Sequence, residues 1–323
     1  SMDVDPSSGR TALERAETEP WVQVALSARV MQGTLRQIPT PTPGSLLDVA
    51  RAFFPEEAAA DWCRSFLASA LEHLVMWADY ATPLKYHPDA AVEFALRPVQ
   101  TLARAALESA SQAVWVLSTA DVREASRRHI SLVLADWEEQ RKAATAPEAV
   151  AELKQRRADA IALTGLDEKR FRAPLYIDLV KGAAAHVRAQ LPDALVQDDA
   201  AVERLWRASA GWAHGKKWPA SELTMTVEAE GHRITLPDPA AITAILKLAD
   251  AVMTYGVMRF ADFSGHIVHL STWQRAAFEK VYATLPLLPG APARPPDSNV
   301  GRAASARDEV STAGRDGERS WWG

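Results

Sequence analysis

The sequence predicts an all-α fold: a multi-helix bundle carrying a single β-hairpin insertion at about 222–236, between disordered termini. Three observations predict it. Apolar residues recur at helical spacing through most of residues 20–285. Proline, glycine and capping residues punctuate that pattern at short intervals. Only one stretch, Leu223–Leu236, alternates apolar with polar instead, with Gly231 at its middle. At 48% hydrophobic and 24% charged, the 323 residues hold enough apolar chain to build a large core.

Residues 1–19 are polar and aperiodic and read as a disordered N-terminal segment. Helices are expected at about 20–37, 45–54, 55–80, 89–118, 120–144, 147–164, 174–190, 198–214, 238–263 and 267–284. Pro39-Thr-Pro-Thr-Pro-Gly44 is a hard break, after which Ser45 can cap the next helix. Pro55-Glu56-Glu57 reads as a helix start, with proline at the first position and acids in the first turn. Gly165 and Gly215 fall where helices should stop. Short loops favour one helical domain over 20–285. From Pro286 the chain becomes rich in Pro, Gly, Ser and Arg and reads as a disordered tail to Gly323, ending on Trp321-Trp322.

With 36 basic and 41 acidic residues the net charge is −5, which excludes a strongly basic nucleic-acid coat protein. The single cysteine, Cys63, cannot form an intramolecular disulfide and is expected to be a buried, inert thiol. No uninterrupted apolar run of membrane-spanning length and no signal-like N-terminus is found, so the expectation is a cytoplasmic protein without membrane contact. Phosphate-cradling loops, dinucleotide fingerprints, nucleophile elbows, Cys-x-x-Cys pairs and His-Glu-x-x-His are all absent, and no cofactor is expected.

Candidate functional groups are polar residues on otherwise apolar helices. Between Pro98 and Ser118, Arg104, Glu108, Ser111 and Trp115 share one narrow stripe while the opposite arc is apolar. That stripe admits three readings: an exposed i,i+4 pair, a buried structural ion pair, or an active-site carboxylate held by an arginine. Between Ala200 and Gly215, Arg207 and His214 lie seven residues apart on one face that Arg204 and Gly211 complete. His214 there is either a histidine satisfied by the negative end of the helix dipole or a proton-transfer group beside a guanidinium. Trp115, Ser111, Ser209 and Arg128 are the expected ligand-binding residues. Asp262, His266 and His269 form a candidate Fe(II) or Zn set if the helix continues past Gly265. Trp62, Phe66, His73, Trp77 and Tyr80 recur near helical spacing, as core or as a ligand cage. Arg123, Arg127, Arg128 and His129, and again Lys154, Arg156 and Arg157, read as solvated basic faces or phosphate-binding patches.

Arg207-Ala-Ser-Ala-Gly-Trp-Ala-His214 resembles the Arg, four to six residues, His spacing of the HEPN superfamily of helical RNA-cleaving and nucleotide-transferring proteins. Ala208 stands where that motif usually has a polar residue, and Gly211 sits inside the helix. The chain also resembles uncharacterised bacterial all-helical proteins that pair an Arg-Ala-x-x-Glu segment before a Trp, here Arg104 to Trp115, with Ser-x-x-x-x-His-Gly, here Ser209 to Gly215. This second resemblance covers about residues 90–260 and implies no activity. The HEPN resemblance implies a metal-independent ribonuclease working as a homodimer. In it His214 transfers a proton at the ribose 2′-hydroxyl and Arg207 stabilises phosphate charge, with Glu108 and Arg104 in support. The expected partner is RNA or a phosphate-bearing small molecule. Two other expectations stand beside it: a small-molecule binding module or enzyme whose internal pocket is lined by Arg104, Glu108, His214 and Trp115, and a metal-dependent oxygenase or hydrolase at Asp262, His266 and His269.

Overall fold

A computed structural model of the chain describes residues 3–5, 10–12, 15–82, 96–229 and 231–266. The described residues form β1 (Asp3–Asp5), β2 (Arg10–Ala12), α1 (Arg15–Gln37), α2 (Leu46–Arg51), α3 (Ala59–Ala81), α4 (Leu96–Leu117), α5 (Val122–Ala143) and α6 (Pro147–Thr164), followed by a 3₁₀ turn at Glu168–Phe171. The chain continues through α7 (Tyr176–Gln190), a second 3₁₀ turn at Pro192–Ala194, α8 (Asp199–Ala213), α9 (Ala220–Leu223), β3 (Thr224–Ala229), β4 (His232–Pro237) and α10 (Pro239–Phe263). The fold is all-α with a β-hairpin, in which Thr224 pairs with Pro237 and Ala229 with His232, and Gly231 takes φ +77° at the turn. The expected helix at 267–284, the tail from 286, Trp321-Trp322 and His269 lie outside the described residues.

Helix α4 is the hub, packed against α3, α5, α7, α8 and α10, while α1 closes over α3 and α10. Leu67, Leu71 and Leu74 of α3, Leu107 and Val114 of α4, and Ile245, Met253 and Phe260 of α10 form the buried centre. A second, smaller apolar cluster lies under α6, where Ile130, Val133, Leu134 and Trp137 of α5 meet Ala160, Phe171 and Phe54. The caps are those the sequence supplies. Ser45, Asp121, Asp198 and Asp238 each accept a hydrogen bond from a backbone N–H in the first turn of the helix that follows.

Several boundaries differ from the expectation. The first helix begins at Arg15, before Pro20 rather than at it, and β1 pairs with β2 inside the segment read as unstructured. Pro55–Glu57 forms a turn and α3 starts only at Ala59, because Glu57 has other partners. Its carboxylate accepts from Trp62 Nε1 and Arg156 at 2.8 Å each, and its carbonyl accepts from His129 Nε2 at 2.6 Å. Helix α10 is also long and apolar enough to cross a bilayer by length and composition, although Lys247, Asp250 and Arg259 interrupt its apolar run. In the bundle 61% of an apolar 18-residue window of that helix is buried.

Candidate functional site

Helix α8 buries Val202, Ala208 and Ser209 and turns Arg204, Arg207 and His214 outward. Its C-terminus is fixed by Gly215 at φ +70°, with Lys216 N–H donating to Gly211 O at 2.9 Å and Gly215 N–H to Trp212 O at 3.1 Å. The chain then folds back on α8. A Cβ on Gly211 would stand 2.8 Å from Pro219 Cγ and 3.1 Å from Trp218 Nε1, so only glycine lets Trp218 and Pro219 lie against the helix there. Trp218 remains 51% exposed. Arg207 sits one turn before Gly211 and His214 one turn after, so both belong to the helix face that Trp218 packs against.

The charges around this face are mostly positive. Arg207 pairs with Glu203 at 2.8 Å, Glu203 also accepts from Lys181 at 2.8 Å, and Arg204 lies 3.6 Å from Glu222. Hydrogen bonds from Lys181 and then Arg207 hold the Glu203 carboxyl below its usual range. Lys216, Lys217 and His214 are exposed beyond these pairs.

The other expected site residues lie elsewhere. Arg104 and Glu108 form a largely buried pair at 2.8 Å, with side chains 22% and 17% exposed. Trp206 Nε1 donates to the same Glu108 oxygen at 2.8 Å, and the Arg104 guanidinium stacks 5.0 Å from the Trp206 ring. Next to them Ser209 Oγ donates to Gln100 Oε1 at 2.6 Å, both residues fully enclosed. This is a polar seam joining α4 to α8. Trp206 precedes His214 by eight residues, about 12 Å along the helix axis and about 80° round it. Arg104, Glu108 and His214 are therefore separate, with His214 on the exposed end of α8 and the pair locked under Trp206.

Ser111 is buried in α4 and its hydroxyl has no partner among the described residues. Trp115 lies near the end of α4, and Arg128 reaches it from α5. Arg128 lies 5.6 Å from the Trp115 ring and donates to Trp115 O at 2.8 Å, Ser118 Oγ at 2.7 Å and Glu124 Oε1 at 2.8 Å. Arg127 and Arg128 together draw the Glu124 carboxyl down to about 2, with the Arg127 hydrogen bond the larger cause. Arg259 reaches the neighbouring Leu117 O at 3.5 Å and pairs with Asp262. Beside them His186 Nε2 lies 2.8 Å from Tyr255 Oη; burial, and then the charges of Arg259 and Arg128, lower the His186 imidazole.

Asp262 and His266 do not share a helix face, because α10 stops at Phe263 and Gly265 takes φ +80°. Asp262 is held by Arg259, and His266 donates to Thr40 O at 2.9 Å. Among the described residues no three His, Cys, Asp or Glu side chains converge as metal ligands. The aromatic stripe of α3 is packing: Trp77 is buried, Trp62 meets Phe66 edge-to-face at 5.8 Å, and His73 lies 2.7 Å from Ser69 O, while Tyr80 is exposed. Of the basic clusters, His129 is buried and neutral in tendency, its pKa lowered mainly by desolvation. Arg156 stacks 4.1 Å from Trp137, and Arg157 pairs with Glu168.

Two features had no place in the reading of the sequence. One is Trp218, whose role depends on the fold-back at Gly215. The other is a cleft of about 410 Å3 at the base of the hairpin, lined by Arg97, Pro98, Trp212, Thr224, Thr235, Leu236 and Pro237. Compared with protein-family models, curated proteins and solved structures, the chain matches none of them, so its geometry and its chemistry carry the functional reading.

Proposed function

We propose that the protein acts on single-stranded RNA at the outer face of α8, without a metal ion. The observation that carries this reading is Trp218, half exposed, packed against Gly211 on the helix face to which Arg207 and His214 belong. An exposed indole is a platform on which any base can stack, and guanidinium and ammonium groups beside it hold the phosphates on either side. Arg207, Arg204, Lys216 and Lys217 supply those cations locally, although the whole chain carries −5.

In this reading His214 accepts the proton of a ribose 2′-hydroxyl. The 2′-oxygen attacks the adjacent phosphorus, the bond from phosphorus to the 5′-oxygen breaks, and that oxygen takes a proton from water. The products are a 2′,3′-cyclic phosphate and a 5′-hydroxyl. Arg207 leaves Glu203 to stabilise charge on the phosphate in flight. The axial distance between Arg207 and His214, about 10 Å over seven residues, spans the stacked base and its neighbouring phosphate.

The test is a labelled RNA oligonucleotide incubated in excess EDTA. Cleavage is expected with wild type and should fall by about 10²–10⁴-fold in His214→Ala. Trp218→Ala should weaken binding by about 1–3 kcal/mol. RNA binding without cleavage would reduce the reading to a binding module, and neither binding nor cleavage at any protein concentration would remove it.

A further inference from the structure

The cleft at the base of the hairpin has a chemistry of its own, independent of the reaction proposed at His214. It is lined by the apolar residues Trp212, Pro98, Pro237 and Leu236, with Thr224 and Thr235 at the hairpin side. Thr224 Oγ1 donates to Ala220 O at 2.6 Å, while the Thr235 hydroxyl has no hydrogen-bond partner among the described residues. Among the described residues the one charged lining group is Arg97.

Arg97 differs from many arginines of the bundle, although Arg64, over Phe260 and bonded to backbone carbonyls, likewise has no carboxylate partner among the described residues. Arg104, Arg127, Arg128, Arg207 and Arg259 each hold a carboxylate. The Arg97 guanidinium instead lies 4.9 Å from the Trp212 ring, with no carboxylate in ion-pair range among the described residues. A guanidinium held over the indole, with no carboxylate among the described residues in ion-pair range, can take a carboxylate or a phosphate through two parallel hydrogen bonds. A positioned, uncompensated cation beside apolar walls selects a ligand that offers both a ring and a negative charge. A volume of about 410 Å3 admits a bicyclic ring with its acid group and lies at the lower end of small-molecule sites.

We infer that this cleft binds a flat aromatic ring carrying one anionic group, with the ring against Trp212 and the prolines and the anion on Arg97. Two sources share that chemistry: a nucleotide, free or within a strand, and a small free aromatic acid. Calorimetric titration of the full chain separates them, using adenosine 5′-monophosphate, 2-naphthoate, the neutral 2-naphthamide and inorganic phosphate as probes. At least one of the two ring anions should saturate with a Kd below about 1 mM. The amide and phosphate alone should bind at least about tenfold more weakly, and Arg97→Gln should weaken the ring anion by the same factor. Arg97 is exposed, so this variant is expected to fold, and its circular dichroism checks that.

Binding of the monophosphate alone assigns the cleft to nucleotides, binding of naphthoate alone assigns it to free acids, and binding of both supports the ring-plus-anion rule itself. The inference is overturned if neither ring anion saturates, if phosphate alone binds as tightly, or if Arg97→Gln binds like wild type. None of these results depends on RNA cleavage at His214, so the two readings fail separately.

Discussion

Asp250 is the carboxylate whose removal should make the protein more stable. It lies on α10 where α1 packs, and its neighbours are hydroxyls: Thr254 Oγ1 stands 3.5 Å from Oδ1, and Ser27 Oγ lies 3.4 Å from Thr254. Burial pushes the carboxyl up from 3.8 to about 6, against the weaker opposing pull of Ser27 and Thr254. A group whose folded-state pKa is raised costs stability when ionised. The cost is absent below about pH 4, where both folded and unfolded chains are protonated, grows between pH 4 and 6, and is complete above that. At about 1.4 kcal/mol per pH unit between the two values, ionisation inside the fold costs about 3 kcal/mol. Asp250 keeps some exposed surface, which brings this to about 2 kcal/mol. Asp250→Asn, an isosteric neutral side chain, should therefore raise Tm at pH 7.5 by about 4–8 °C and change it little at pH 4. Scanning calorimetry of both proteins at the two pH values measures this. A variant no more stable than wild type at pH 7.5, or equally stabilised at both, would refute the account of Asp250 as a desolvated charge.

Two further outcomes follow from particular contacts. Gly211→Ala places a methyl group 2.8 Å from Pro219 Cγ, so Trp218 should be unseated, at a cost of about 1–3 kcal/mol and with weaker RNA binding than wild type at unchanged helix content. Circular dichroism and gel shift on the same preparation test it. Cys63 is fully enclosed and burial pushes its thiol up to about 12, so a thiol reagent should label it only after denaturation; rapid labelling of the native protein would show that α3 opens easily.

Much of this architecture was legible from spacing alone. The stripe of Arg104, Glu108, Ser111 and Trp115 does face one way, and Arg207, Gly211 and His214 do share a face, because helical rotation is a property of the local chain. What spacing could not give is the partner. Trp206 reaches Glu108 across 98 residues of sequence, and that single hydrogen bond closes the seam from which a shared hollow with His214 had been expected. Gly211 looked like a defect within a motif, yet it is the seat for an indole seven residues later, visible only once Gly215 turns the chain back. The helix start at Pro55 failed for a similar reason, since Glu57 satisfies Trp62, Arg156 and His129 rather than a helix N-terminus. Polar residues commit to tertiary partners that no local pattern contains.

The small apolar cluster beneath α6 divides the molecule unequally. Helix α6 packs on α5, buries only Ala160 fully, and is otherwise held by partly buried Ile161, by Arg156 over Trp137 and by ion pairs to Glu57 and Glu168. Peeling it away would uncover Trp137 and Phe171 while leaving the leucines around α4 dry. The amides of α6 are therefore expected to exchange with solvent sooner than those of α4, which hydrogen exchange of the native protein measures.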